Sequence, residues 1–187
     1  MGAPTAAERK VLDWIAGERA AILDLIETLV NTDSGTHDKA GVDAVGARIR
    51  AFLGARGIDS DTIANDRFGD AIRARVGDGG GRPVLLMGHR DTVYGPGEAA
   101  RRPFRITDGR GSGPGCCDMK AGLAMNAIVL AAFKTFGAPS PMVALFTSDE
   151  EIGSPSSKEL IMREARAARA VFNSEPGRPG GGVVTGR

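Results

Sequence analysis

The chain has 187 residues, which is enough to bury one complete hydrophobic core, so a single compact domain over residues 1–187 is the default expectation. Its 24 Lys and Arg residues nearly balance its 23 Asp and Glu residues, which argues against a nucleic acid or an anionic membrane as partner. The N-terminus shows no apolar run of signal-peptide length, and no later segment approaches the roughly 18 apolar residues that span a bilayer. We therefore expect a cytoplasmic protein without a membrane partner.

Helical periodicity dominates the first part of the chain. Apolar residues recur at helical spacing between Thr5 and Asn31, with charged residues between them, and this pattern predicts an amphipathic helix with a bend at Gly17. The other elements predicted in this half are a second helix over 42–52, which ends in the segment from Gly54 to Gly57, and short strands at 62–64 and 71–76.

Helices alternate with apolar strands in the second part of the chain. The segment Val84–Met87 is continuously apolar, as expected of a strand that is covered on both faces. The elements predicted after it are a helix over 119–136, a strand over 142–146, a helix over 156–167, a strand over 170–173 and, after a glycine-rich segment, a short β-like run at 183–187. This alternation predicts an α/β fold, a three-layer sandwich with a largely parallel central sheet.

Candidate metal ligands follow three of these apolar strands. In open α/β sheets the ligand crevice lies beyond the carboxyl ends of the strands, so residues at these positions are the first candidates for a site. They are His89 and Asp91 after 84–87, Glu150 and Glu151 after 142–146, Glu175 after 170–173, and Asp118 at the end of a glycine-rich loop where a helix begins.

Each of these residues has an ordinary structural explanation when it is taken alone. Asp118 fits a helix N-cap, which accepts a backbone N–H bond. His89 fits a core histidine bonded to a backbone carbonyl, Asp91 fits a turn residue, and the glutamates fit solvated loop acids. Together they would concentrate negative charge at one rim of the sheet, and a pair of divalent metal ions would neutralise that charge. A mixed histidine and carboxylate shell suits Zn²⁺, with Co²⁺ or Mn²⁺ as alternatives.

The carboxylates in this set are expected to have different roles. Asp91 fits a place behind the metal, because a ligating histidine normally donates its other ring N–H to a carboxylate. Glu150 and Glu151 are adjacent and cannot easily point at the same atom. One of them is therefore expected to bind metal, while the other takes a proton from the attacking water.

Four motifs together resemble a known family. GHRDTV, GSGPGCCDMKAGLA, TSDEEIGS and NSEP occur in the order and approximate spacing of the zinc-dependent family that includes acetylornithine deacetylase, succinyl-diaminopimelate desuccinylase, aminoacylase and bacterial glutamate carboxypeptidase. The resemblance runs from about residue 10 to the end of the chain. It implies that His89 and Glu175 bind one Zn²⁺ ion, that Glu151 binds a second, that Asp118 bridges the two, and that Glu150 is the general base.

The resemblance also implies an activity and a conformation. The activity is hydrolysis of an amide bond in a small N-acyl amino acid or short peptide, in the manner of a glutamate carboxypeptidase or deacylase, with a homodimer as the full-length protein. The bond Asp118–Met119 is expected to be cis, as is typical of such enzymes. Two rivals remain open, an aminopeptidase of the same superfamily and a non-catalytic binding module.

Two departures from the family pattern stand out. Cys116 and Cys117 occupy positions where the family usually has small apolar residues, and we expect them to be reduced, small buried side chains rather than metal ligands. The family places its last histidine ligand near its C-terminus, beyond a lid and dimerisation domain, and the only other histidine here, His37, matches no ligand position. We therefore expect the N-terminal part of a catalytic domain, inactive alone, with an open sheet edge that favours self-association.

Overall fold

In the computed structural model, which describes residues 3–182, the first predicted helix is two helices. Helix α1 spans Ala6–Gly17 and helix α2 spans Arg19–Val30, with Glu18 between them. Thr5 begins α1 with a capping box, because its hydroxyl accepts from the backbone N–H of Glu8 while the Glu8 carboxylate accepts from that of Thr5. The predicted bend at Gly17 is thus a break in the helix.

The next elements follow the predictions closely. Helix α3 spans Lys39–Gly54, and Asp38 caps it by accepting from the backbone N–H of Gly41 over 3.1 Å. Strand β1 spans Ser60–Ile63, beginning two residues before the predicted strand, and β2 spans Ala71–Val76 as predicted.

The second half contains the remaining predicted helices and strands together with several elements that were not predicted. The predicted elements are β3 at Val84–His89, α5 at Ala121–Phe136, β6 at Met142–Thr147, α6 at Lys158–Ala167 and β7 at Ala170–Asn173. Between β3 and α5 lie a short helix, α4 at Glu98–Arg101, and a hairpin of β4 at Arg105–Thr107 and β5 at Arg110–Ser112. The β-like run predicted at 183–187 lies outside the described residues.

The central sheet has five strands in the order β1-β2-β6-β3-β7. Strand β3 pairs parallel with β6 and with β7, whereas β2 pairs antiparallel with β1 and with β6. The predicted α/β class is confirmed, and the sheet is mixed, with its parallel half at the strands that lead to the candidate ligands. The carboxyl ends of those three strands consequently meet at one rim.

Helices cover both faces of the sheet. Alternate residues of β3 and β6 point to opposite sides, as the period of a strand requires. Leu86 and Phe146 belong to the larger core, which includes residues of α2, α3 and α5. Leu85 and Leu145 belong to a smaller core under α6. The predicted three layers are therefore present.

Helix α5 is the apolar centre of the larger layer. The segment Cys116–Phe136 is long and apolar enough to cross a membrane by length and composition, so the expectation that no segment has this character is wrong. Within the protein, 61% of its most apolar window is buried, and α5 contacts α1, α2, α3 and the sheet. A core helix meets the same criteria, and this burial explains the composition.

Strand β7 forms one edge of the sheet. Among residues 3–182 it pairs only with β3, and its side chains Val171 and Phe172 are 43% and 58% exposed. The expected self-association through an open sheet edge remains a prediction.

Candidate metal centre

His89 is the last residue of β3 and its side chain is buried. Its Nδ1 lies 3.0 Å from the backbone carbonyl oxygen of Asp91 and 3.4 Å from Oδ1 of the same residue. Donation from Nδ1 to Asp91 fixes the ring and leaves Nε2 as the nitrogen that faces the candidate ligands.

Carboxylates surround the Nε2 atom of His89. It lies 3.1 Å from Asp118 Oδ1, 3.6 Å from Glu175 Oε1 and 3.8 Å from Glu150 Oε2. Two groups of three residues could each hold a metal ion, because the ligand atoms within each group all lie within 4.8 Å of one another. One group is His89, Asp118 and Glu151, and the other is His89, Glu150 and Glu175. The structure thus brings together the four predicted metal ligands, His89, Asp118, Glu151 and Glu175. It also places Glu150, the predicted general base, in one of the two groups.

An irregular helical turn, Cys116–Lys120, places Asp118 in this cluster. Asp118 and Met119 leave helical dihedral angles within the turn, and the peptide bond between them is cis, as the family resemblance implied. The alternative role of Asp118 as a helix N-cap is wrong, because Lys120 occupies the N-cap position of α5 and no side chain caps that helix. The Asp118 side chain is 55% exposed and points at His89.

Asp91 holds the loop that carries the two glutamates. Its side chain is fully buried, and its Oδ1 accepts from the backbone N–H of Glu150 over 3.1 Å. Its Oδ2 accepts from the backbone N–H of Glu151 over 3.2 Å and from the Thr36 hydroxyl over 2.8 Å. Sequence reasoning placed Asp91 behind His89 but missed Thr36, because a threonine in a polar turn carries no signal of a partner 55 residues away.

A second buried network positions Glu175. Asn126, on the inner face of α5, donates from Nδ2 to the carbonyl of Met87 over 3.1 Å and accepts from the Ser174 hydroxyl over 2.6 Å. Gly122 permits this approach, because a Cβ there would clash with the Ser174 carbonyl oxygen. Asn126 was also missed from the sequence, although a lone Asn among Ala, Leu and Met residues of a core helix signals a buried hydrogen bond.

The electrostatic environment favours a cation at this rim. Burial alone would lower the pKa of His89, but the neighbouring carboxylates, Asp91 foremost, raise it to about 9. Burial raises the pKa of Glu151 and of Glu175, and repulsion from Asp118 adds to the effect while the imidazole opposes it. Carboxylates that repel one another around a buried imidazole are the donor set that a divalent cation relieves.

Two buried cations lie next to the site in the chain and point elsewhere. Arg90 donates to the carbonyls of Val42 and Asp70, and burial lowers its pKa to about 10. Lys120 donates to the carbonyl of Thr32 over 2.7 Å, and burial lowers its pKa to about 8. Within residues 3–182, neither side chain forms an ion pair with a carboxylate of the site. Their hydrogen bonds instead connect the segments that carry the site to the rest of the protein.

The cysteines and His37 lie outside the ligand groups. Both cysteines are free, as predicted, but only Cys116 is half-buried, whereas Cys117 is exposed. The expectation of two small buried side chains is therefore wrong for Cys117, because the irregular turn carries it at the surface. His37 is exposed, and its ring centroid lies 5.9 Å from that of Phe68.

The amino-acid sequence is similar to a known protein family and to individual characterised proteins. A profile of the peptidase family M20/M25/M40 matches residues 85–186. Carboxypeptidase G2 of Pseudomonas sp. (strain RS-16) is 37% identical over 163 residues, which are 85% of this chain and 39% of that protein. Acetylornithine deacetylase of Myxococcus xanthus is 30% identical over 172 residues, 89% of this chain and 43% of the relative. The chain therefore spans about two fifths of the length of these relatives.

Solved structures show the same fold. Human carnosine dipeptidase 1 superposes with a TM-score of 0.76 and 17% identity over 91% of this chain and 41% of its own. The dipeptidase Dug1p of Saccharomyces cerevisiae gives 0.71 and 21% identity over 87% of this chain and 40% of its own.

Proposed function

Because the chain belongs to the peptidase family M20/M25/M40, we propose that its carboxylate cluster holds two Zn²⁺ ions and serves the hydrolysis of an amide bond. The proposed substrate is a small N-acyl amino acid or short peptide, in line with the names of the two relatives, a carboxypeptidase and a deacetylase. The observation that carries the proposal is that four carboxylates surround the buried imidazole of His89. They form two groups with it, and within each group the ligand atoms lie within 4.8 Å of one another.

The residues present fit a pair of divalent ions. His89 offers Nε2 because its Nδ1 is engaged by Asp91. In our assignment His89 and Glu175 would hold one ion, Glu151 would hold the other, and the Asp118 carboxylate would serve both. The mixed nitrogen and oxygen donors suit Zn²⁺, and Co²⁺ or Mn²⁺ would satisfy the same set.

The chain's own residues would carry the proton transfers. When bound, the ions would supply Lewis acidity, which polarises the scissile carbonyl and makes water a stronger acid. Glu150, whose side chain is 46% exposed, would take a proton from the attacking water and deliver it to the leaving nitrogen. Asp91 is a positioning residue, because it orients both the His89 ring and the turn that carries Glu150.

A non-catalytic binding module is a second candidate, and one observation favours it. The chain contains two histidines, and only His89 lies in the ligand groups. A site of this composition could hold a metal ion in the 187-residue chain without catalysing hydrolysis.

Zinc titration with hydrolysis measured in parallel tests the proposal. N-acetyl, N-succinyl and glutamyl amino acids are the substrates, first with the 187-residue chain and then with the complete gene product. Uptake of zinc together with hydrolysis of any of these amides supports the proposed function. Uptake of zinc without hydrolysis by the complete protein would favour the binding module.

A further inference from the structure

Two thiols lie side by side on the irregular turn that carries Asp118. Cys116 and Cys117 are adjacent in the chain, both are free, and neither belongs to the ligand groups of the metal centre. The peptide bond between them is trans, so their α-carbons lie about 3.8 Å apart. The turn therefore carries a pair of nucleophilic groups that the proposed function does not use.

The pair lies near the surface of the protein. Cys117 is exposed and Cys116 is half-buried. The Sγ atom of Cys116 faces strand β5, because a Cβ built on Gly111 would lie 3.6 Å from it. All three residues of β5 are exposed, so Cys116 lies beneath a surface hairpin rather than in the core. A small ligand can therefore reach Cys117 directly, and Cys116 is its immediate neighbour.

The two thiols do not face one another in the present turn. Cys116 and Cys117 keep helical dihedral angles, whereas Asp118 and Met119 leave them. Adjacent residues in a helical segment direct their side chains about 100° apart. A ligand that binds both sulfur atoms must therefore draw the two side chains together, and this strains the present conformation of the turn.

The metal centre, in contrast, requires the present conformation. Asp118 directly follows Cys117, and its Oδ1 lies 3.1 Å from His89 Nε2. The next residue, Met119, is fully buried, and its Sδ accepts from the backbone N–H of His89 over 3.3 Å. The chain beyond Asp118 is thus held in the interior. A conformational change at the two cysteines would consequently fall on Asp118.

The chemistry of the pair indicates which ligand it would bind. Sulfur is a soft donor and prefers soft partners to the hard cations that carboxylates bind. Trivalent arsenic bonds readily to thiols and has little affinity for carboxylates or imidazole, so it would distinguish the cysteine pair from the adjacent metal centre. Two thiols on one chain also bind it far more tightly than one, because the second bond forms within the same molecule.

We propose that Cys116 and Cys117 together bind trivalent arsenic, as arsenite or as an organoarsenical, and that arsenic and zinc oppose each other's binding through the turn that carries Asp118. With phenylarsine oxide, two S–H bonds and the arsenic–oxygen bond break and two arsenic–sulfur bonds form. The oxygen leaves as water with the two thiol protons. Arsenic stays trivalent, so the step needs no oxidant or reductant. The opposition to zinc rests on the proposed function, whereas the paired site does not.

Binding of phenylarsine oxide to the 187-residue chain tests the paired site. Competition with a small dithiol gives the dissociation constant, and native mass spectrometry gives the stoichiometry. We expect one arsenic per chain, bound about 100-fold more tightly by the parent than by Cys116→Ser or Cys117→Ser. Arsenite should rank the three proteins in the same order.

Calorimetric zinc titration, with and without phenylarsine oxide, tests the opposition between the two ligands. In the parent, saturating phenylarsine oxide should lower the zinc affinity several-fold. Saturating zinc should lower the affinity for the arsenical by the same factor, because coupling between two binding sites is reciprocal. Cys117→Ser is the matched control, since it replaces an exposed thiol by a hydroxyl of similar size. It should bind zinc as the parent does, and the arsenical should not change its zinc affinity.

The outcomes separate this inference from the proposed function. A serine variant that binds phenylarsine oxide as tightly as the parent would overturn the paired site. An affinity for the arsenical that is equal with and without bound zinc would overturn the opposition. A chain that takes up no zinc would contradict the proposed function, and the serine variants would still decide the paired site.

Discussion

At the scale of single residues, the candidate site depends on a carboxylate that is not among its ligands. Burial alone would raise the pKa of Asp91, but the His89 ring, the Thr36 hydroxyl and the N–H of Glu150 hold it below its usual range. Asp91 therefore stays ionised in the interior because several hydrogen-bond donors surround its carboxylate. Two of those donors, His89 and Glu150, are themselves members of the candidate ligand groups.

The two adjacent glutamates should respond differently to substitution. In the complete protein, Glu150→Gln should reduce turnover at least 100-fold while zinc content stays near normal, because our assignment makes Glu150 the general base, which contributes to rate and little to metal affinity. Glu151→Gln should lower zinc content as well. Metal analysis and steady-state rates on the same samples distinguish the two, and the opposite pattern would show that the roles are exchanged.

Replacement of Asp91 by Asn should weaken metal binding. The asparagine amide would have one acceptor oxygen in place of two, and its NH₂ group would face a group that donates a hydrogen bond. The backbone N–H of Glu150 or Glu151, or the His89 ring, would therefore lose its acceptor. We expect zinc affinity to fall by about 10–100-fold, as is usual for groups behind a metal ligand.

Thr36→Val is the comparison variant, since it removes one donor to Asp91 and leaves the turn in place. Calorimetric zinc titration of both variants is the measurement. An Asp91→Asn variant with the parent's zinc affinity would contradict the positioning role.

At the scale of elements, an ion pair joins α3 to the loop before β2. Lys39 Nζ lies 2.5 Å from Asp70 Oδ1. The Lys39 ammonium first, and then the N–H of Asn65, hold the pKa of Asp70 below its ordinary value of 3.8. Because the folded-state pKa is the lower one, this interaction stabilises the protein above pH 3.8 and is lost as the pH falls through the folded pKa.

Asp70→Asn should therefore lower the free energy of unfolding at neutral pH by about 0.5 kcal/mol, since the pair is partly exposed. The difference from the parent should disappear at strongly acidic pH. Urea denaturation at both pH values measures it. Asp61→Asn, at an exposed position of β1 that forms no ion pair among the described residues, should show no such difference at either pH.

The Asn126 network predicts a link between helix α5 and Glu175. Asn126→Leu should lower zinc affinity several-fold, because the Ser174 hydroxyl loses its partner and the backbone bond from Ser174 to Met87 alone then holds the residue before Glu175 against β3. Met125→Leu, at a position 49% exposed on the same helix, should bind zinc as the parent does. Far-UV circular dichroism verifies that both variants fold. Equal zinc affinity in the two variants would limit Asn126 to a structural role.

The success of sequence reasoning differed between elements for physical reasons. Strands β3 and β6 were predicted because each is covered on both faces and is therefore continuously apolar. Helix α4 and the β4–β5 hairpin were missed, because their side chains are mostly exposed and leave no periodicity. His89, Glu151 and Glu175 were found because they lie at the ends of apolar strands, and Asp118 because it ends a glycine-rich loop where a helix begins.

The supporting residues of the site could not be found in the same way. Thr36 and Asn126 contact partners 55 and 39 residues away, and nothing in the local sequence specifies such a distance. The irregular turn at Asp118 was expected only through the family resemblance, because local propensity predicts an ordinary helix start there.

At the scale of the whole molecule, the site contains one imidazole. Of the two histidines, His37 lies outside the ligand groups, so water or a foreign group would complete the coordination of any ion held by Glu151 and Asp118. Free imidazole should therefore raise the zinc affinity of the 187-residue chain several-fold. Zinc titration across an imidazole series measures this effect, with a correction for zinc bound by imidazole in solution. No change in affinity would show that the site has no accessible coordination position.

The sheet order also determines when the protein can fold during its synthesis. Strand β6 lies between β2 and β3, although both are made before it, and all six of its residues are buried. The nascent chain therefore carries the apolar strand β3 without a sheet partner until the ribosome has passed residue 147 and β6 has emerged. Pairings between distant segments form slowly, and an uncovered apolar strand can aggregate in the meantime. Translation speed and chaperone access over residues 90–141 should thus influence how much folded protein a cell obtains.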